Sequence, residues 1–271
     1  MGVKHDGGLK NADQYPYYRP MAEQPLPQGV IATEQRSQSA RVDKFVDGAF
    51  AFAITLLVLS GASLPRNVDA LMDALRGVPA FAVCFVQLVW FWHGHVSWRE
   101  MVDRTDMTGL CLSLLLVFFA LIFVFPLHLV YASFFHGLTS GVLSPGYVPV
   151  AAGAGKWHHL RLLFACYGIC NACMAGTLSA LLVHGARRIR YARPAIWVDM
   201  RLRSVMWAFV AAVGLLSLLL AVLLPSGTAI ALAGLSYCLL ALTGVVATWG
   251  RRHFSARQAV LVDTEADLDE Q

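Results

Sequence analysis

Asp47 is the residue whose type and setting most invite chemistry, a carboxylate at the start of an otherwise apolar run that reaches Leu59. An ionisable group in such a run is expensive in lipid and usually faces protein or water, where it could anchor a helix or belong to an ion or proton path. Alternatively it caps the positive N-terminal end of a helix. Physics alone leaves both readings open. His93 and His95 lie in a second apolar run and could ligate a metal or haem, but two residues apart on a helix they point in different directions. A hydrogen-bonded structural role for one of them is the simpler reading. Cys166, Cys170 and Cys173 fall at i, i+4 and i+7, a spacing at which thiolates on one helix face could bind a soft metal. They read more simply as small packing residues beside Gly168, Ala172 and Gly176. The sequence contains no nucleophile elbow, no Walker loop and no His-Glu-x-x-His, so no catalytic residue, cofactor or metal site is assigned and no enzyme activity is expected.

The elements that must position these residues follow from composition. Of 271 residues, 57% are hydrophobic and 14% charged. Soluble domains carry about 25% charged residues, so a chain this apolar hides its surface only in lipid. The net charge of +4 is spread through loops, without a basic block, which gives nucleic acid no purchase. All six cysteines lie in apolar runs, so no secreted disulfide framework is expected. The first 40 residues are polar, hold Pro16, Pro20, Pro25 and Pro27, and lack the apolar core of a secretory leader. A flexible tail is expected there, and a second from 253 to 271.

A membrane-spanning helix needs about 20 apolar residues. Runs of that length fall near 44–64, 72–97, 108–133, 160–185, 203–224 and 227–249, an all-α protein of about six spans. Residues 134–158 are rich in Gly, Ser and Pro and read as a loop, in part a re-entrant one. Pro126 should kink the third span, and the Gly168, Ala172, Gly176 stripe should let the fourth approach a neighbour closely. Arginines crowd the loops at one side, above all Arg187, Arg188, Arg190, Arg193, Arg201 and Arg203. The positive-inside rule then expects both termini in the cytoplasm.

The stretch from Arg41 to Leu59 resembles the signature of the transmembrane protein 175 family, the endosomal/lysosomal potassium channel and its prokaryotic relatives. That family's first helix opens with Arg, three residues, then Phe-Ser-Asp, followed by an alanine-rich aliphatic run containing Thr-Leu-Leu. Arg41, Phe45 and Asp47 match, as do Thr55-Leu56-Leu57, while Val46 replaces the serine. Trp92 and His95 are similar to the family's Trp-x-x-His. No Thr-Val-Gly-Tyr-Gly filter is present.

The resemblance implies an unconventional potassium channel and a homotetramer in a prokaryotic plasma membrane, with potassium ions and the bilayer as partners. Residues 41–252 would form its six-helix channel domain. The first helices would line the pore, with a constriction at Phe52, further layers at Leu56 and Leu59, and Thr55 contributing to selectivity. Phe52 is bulkier than the family's usual Ile or Leu, and a larger apolar plug raises a dewetting barrier. Helical geometry puts Gly48, Phe52, Thr55, Leu56 and Leu59 on roughly a third of the circumference, with Asp47 about 140° from Phe52. Without the resemblance, such a stripe is more often packing than pore. With Phe52 in the pore, Asp47 is expected to anchor the helix through His93 or His95. Competing readings are a proton-linked carrier using Asp47 and His95 as a relay, and a membrane redox protein with histidine-bound haem.

Overall fold

The computed structural model describes residues 28–61, 65–102, 106–144, 156–189, 194–223, 232–244 and 248. Among them the chain is helical with no strand: α1 (Gln28–Gly61), α2 (Val68–Arg76), α3 (Val78–Met101), α4 (Met107–Leu138), α5 (Lys156–Ile189) and α6 (Pro194–Leu223), then a 3₁₀ segment, Ser236–Leu242. By length and composition α3, α4, α5 from His158, and α6 can each cross a membrane.

The expected second span, 72–97, is two helices. Asn67 caps α2 by accepting the Ala70 N–H at 2.8 Å, and Gly77 ends it. Pro79 then opens α3, at a position where the missing N–H costs nothing. Asp73 and Arg76 stand just before the break, and Gly77 and Pro79 mark it in the sequence. α1 begins at Gln28, inside the segment expected to be a flexible tail; residues 1–27 and 249–271 lie outside the described residues. Helices also outrun their apolar stretches, so Arg187 and Arg188 belong to α5, and Arg201 and Arg203 to α6, instead of to a loop. Arg190 and Arg193 lie outside the described residues. α4 continues through a buried Pro126 to Leu138, well into the expected loop, and a turn with positive φ at Ser140, Gly141 and Ser144 follows. Of the expected sixth span, 227–231, 245–247 and 249 lie outside the described residues, and the part described includes the 3₁₀ segment Ser236–Leu242.

α5 and α6 pack most extensively, α4 lies against α5, and α1 sits at the edge against α3 and α4. Lipid tails are as apolar as leucine, so close approach and polar contacts must hold such a bundle together. A Cβ on Gly168 would fall 2.7 Å from the Gly214 carbonyl oxygen, so neither helix tolerates a side chain at that crossing. Gly176, expected in the same stripe, faces open space. Phe91 stands at the centre, stacked on Trp207 at 5.2 Å and edge-on to Phe123 at 5.9 Å.

A hydrogen-bonded cluster crosses this core. Tyr131 on α4 and Tyr167 on α5 donate to Gln87 Oε1 on α3, at 2.9 and 3.0 Å. Gln87 Nε2 faces Tyr167 and Asn171, and Asn171 Nδ2 donates to the Val210 carbonyl on α6 at 3.3 Å. Four helices are thereby registered through polar groups that lipid would leave unsatisfied.

Candidate functional site

α1 has two faces. Val46, Phe50, Ala53 and Leu57, at i, i+4, i+7 and i+11, are buried against the bundle. Val46, which stands where the family's signature has serine, therefore fills core. The opposite face carries Phe45, Phe52, Thr55 and Leu59 into the open. Phe52 is 56% exposed and Leu59 63%, whereas Leu56 is half-buried at the border of the two faces. Thr55 Oγ1 donates to its own helix, to the Ala51 carbonyl at 3.0 Å.

Acidic residues tie the buried side of α1 to α3. Asp43 accepts two hydrogen bonds from Arg99, Nε to Oδ1 at 2.6 Å and Nη2 to Oδ2 at 3.0 Å. The guanidinium also lies over the Trp98 ring, 5.6 Å from its centroid. One turn along, Asp47 Oδ1 accepts from Trp92 Nε1 at 2.8 Å. The partner of Asp47 is thus Trp92, in place of the expected His93 or His95. His95 is buried and shares a hydrogen bond with Ser113 Oγ on α4 at 3.0 Å. His93 is exposed on another side of α3, its Nε2 3.5 Å from Ser97 Oγ. Arg41 and Phe45 are exposed and join neither cluster.

Sequence reasoning missed Asp43 and Ser113 as partners. Asp43 sits one helical turn before Asp47, and that i, i+4 spacing of two acids was the available signal. Ser113 carries no signal at all, being one serine in an apolar run.

A second polar cluster ties α4 to α5. Asp106 caps α4 through the Gly109 N–H at 3.1 Å and meets His184 Nε2 at 2.9 Å and Arg188 Nη1 at 3.4 Å. Partial burial pushes its carboxyl up, but the Gly109 N–H and the His184 ring outweigh that and hold it below the usual carboxylate range. Cys166 is exposed and Cys170 and Cys173 half-buried, all three as free thiols.

Known proteins match this arrangement in part. The family model for the endosomal/lysosomal potassium channel TMEM175 matches residues 41–126, from Arg41 to Pro126. A potassium channel of Marivirga tractuosa is 31% identical over 135 residues, 49% of this chain and 53% of that protein. A potassium channel of Chamaesiphon minutus is 31% identical over 85 residues, 28% of this chain and 41% of that protein. The chain thus spans about half the length of these curated relatives or less. In fold it resembles a solved threonine-to-alanine variant of the potassium channel MtTMEM175 bound to a nanobody–MBP fusion. That likeness has a TM-score of 0.62 at 21% identity, over 79% of this chain and 93% of the other. The match to the TMEM175 family model runs over residues 41–126 of the chain.

Proposed function

We propose that the chain is one subunit of a homotetrameric, potassium-permeable, leak-type cation channel. In this reading α1 and the C-terminal segment complete six spans, both termini are cytoplasmic, and the membrane is a prokaryotic plasma membrane. The exposed face of α1 lines the ion path on the symmetry axis. Phe52 forms the main hydrophobic constriction, Leu56 and Leu59 add further layers, and Thr55 contributes to selectivity. One observation carries the proposal: α1 turns large apolar side chains away from its own bundle, with Phe52 at 56% exposure, while its other face is bonded to α3 through Asp43 and Asp47. The names of the two curated relatives agree with it. A proton relay from Asp47 to His95 has less support, because the two residues bond separately to Trp92 and Ser113.

The test is cation flux from liposomes containing the purified protein, under a potassium gradient and then a sodium gradient. Potassium flux above sodium flux, raised further by Phe52→Ala, is the expected result. A verified tetramer whose flux ignores Phe52→Ala places the constriction elsewhere. No flux from well-folded wild type and variant leaves the fold and removes the channel. Saturable uptake that depends on a counter-ion would instead establish a carrier.

A further inference from the structure

No residue of α2 is buried, although most of its side chains are apolar. Val68, Leu71, Met72 and Leu75 recur at i, i+3, i+4 and i+7, a stripe about 100° wide. They are 73%, 46%, 50% and 53% exposed. Val78, the first residue of α3, extends the stripe, and exposed Phe85 and Val86 carry it on along a helix that can cross a membrane. The charged side chains fall elsewhere: Asp69, Asp73 and Arg76 lie about 80–140° round the helix from Val68. All three are exposed, and Arg76 Nη1 donates to Asp73 Oδ1 at 3.0 Å.

Two features fix the level of α2. With 24 residues at about 1.5 Å each, α3 by itself exceeds a hydrocarbon core of about 30 Å. α2, joined to it through Gly77, therefore stands at the edge of that core. Its C-terminal end is also held there, because the Arg76 carbonyl accepts the Ser144 N–H at 3.3 Å from the turn that follows α4. α4 is itself long enough to cross and ends at Leu138, so the start of one such helix and the end of another meet at α2. In open water the stripe would be an uncovered apolar patch. Deeper in lipid, Asp69, Asp73 and Arg76 would be charges without water.

We propose that α2 docks on the bilayer surface, with Val68, Leu71, Met72 and Leu75 in the boundary between headgroups and acyl chains and Asp69, Asp73 and Arg76 in water. Such helices bind through buried apolar area and through attraction to anionic headgroups. Here the attraction is missing: exposed Arg66 and Arg76 offset Asp69 and Asp73, so α2 takes zwitterionic phospholipid as well as anionic. Its nine residues are too few to hold a helix alone. Attachment to α3 and the Ser144 bond keep it formed and at the surface. The assignment is independent of ion conduction.

Photocrosslinking of the full chain in liposomes tests it, with p-benzoylphenylalanine (Bpa) as the reactive side chain. Leu71→Bpa and Leu75→Bpa report on the stripe, and Asp69→Bpa and Asp73→Bpa on the charged side, about 160° away from Leu71 and Leu75 respectively. After irradiation, mass spectrometry should find phospholipid adducts at Leu71 and Leu75 about tenfold above those at Asp69 and Asp73, a ratio that corresponds to about 1.4 kcal/mol. Phosphatidylcholine and phosphatidylglycerol liposomes should give the same pattern. A crosslinked dimer from Leu71→Bpa or Leu75→Bpa in place of the lipid adduct would overturn the proposal and give the stripe to a second copy of the chain. Equally strong adducts at all four positions would sink α2 into lipid, and equally weak ones would leave it in water; either result overturns the docking. Adducts in phosphatidylglycerol alone would overturn it too, since headgroup charge and not the apolar stripe would then hold the helix.

Discussion

Asp43 and Arg99, 56 residues apart in the chain, form a two-point ion pair at 2.6 and 3.0 Å that fastens α1 to the end of α3. Arg99 is 15% exposed and Asp43 33%, so the pair is neither a loose surface contact nor fully desolvated. A charge left half-buried without its partner is costly, whereas removal of both charges leaves nothing unpaired. Asp43→Ala or Arg99→Ala is therefore expected to cost about 1–3 kcal/mol, and the double variant less than the sum. Thermal melts of the four proteins in one detergent give the coupling. Additive single effects would mean that the pair does not hold α1.

Asp47 and Trp92 make a single charged hydrogen bond, and Trp92→Phe removes the donor while keeping most of the ring. Hydrogen bonds to charged groups contribute about 1.5–3 kcal/mol, discounted here because Asp47 is exposed. Both Trp92→Phe and Asp47→Ala should lower the melting temperature and reduce assembly, as read by size-exclusion chromatography with light scattering. Normal assembly with an altered potassium-to-sodium ratio in Asp47→Ala would put the carboxylate in the ion path instead.

Gln87 satisfies two tyrosines and an asparagine at once. Gln87→Leu strands those groups in the core, at an expected cost of about 1–3 kcal/mol. Gln87→Glu keeps the shape and the acceptor oxygens but loses the amide donor facing Asn171, and should fall between wild type and Leu. Melting temperatures in that order check the prediction; an unchanged Leu variant would mean that Tyr131 and Tyr167 find other partners.

Asp106 introduces a pH dependence of known sign. Its carboxyl titrates below the usual range in the folded protein, so its contribution is complete above the unfolded value of about 4 and is lost as pH falls through the lowered folded value. Melting temperature should fall as the medium is acidified below that range, and Asp106→Asn, which keeps a cap for Gly109 but no charge for His184 and Arg188, should flatten the fall. Identical acid profiles for the two proteins would remove the pair from the account.

Apolar run length and local motif spacing sufficed to read the helical character of the described residues, the central stretches of four helices long and apolar enough to cross a membrane, and the resemblance to the TMEM175 signature from Arg41 to Asp47. Such properties are local: a lipid-facing helix needs its length from its own residues, and a face at i, i+3 and i+7 exists whatever the helix packs against. The face holding Phe52, Thr55 and Leu59 was legible for that reason.

Pairings between helices were not. Trp92, not His95, meets Asp47, because rotation of α3 about its own axis decides which neighbour in Trp92-His93-Gly94-His95 points at α1. Arg99, in sequence only a topology signal, becomes a structural partner once α1 and α3 cross. Gln87, Tyr131, Tyr167 and Asn171 lie too far apart in the chain for any spacing to announce them. Gly168 meets Gly214 while Gly176 meets nothing, since eight residues along the helix turn it about 80° away from the Gly168 side. Residue type and period determine what each helix is, and crossing angle and rotation, which belong to the assembled bundle, decide what each side chain meets.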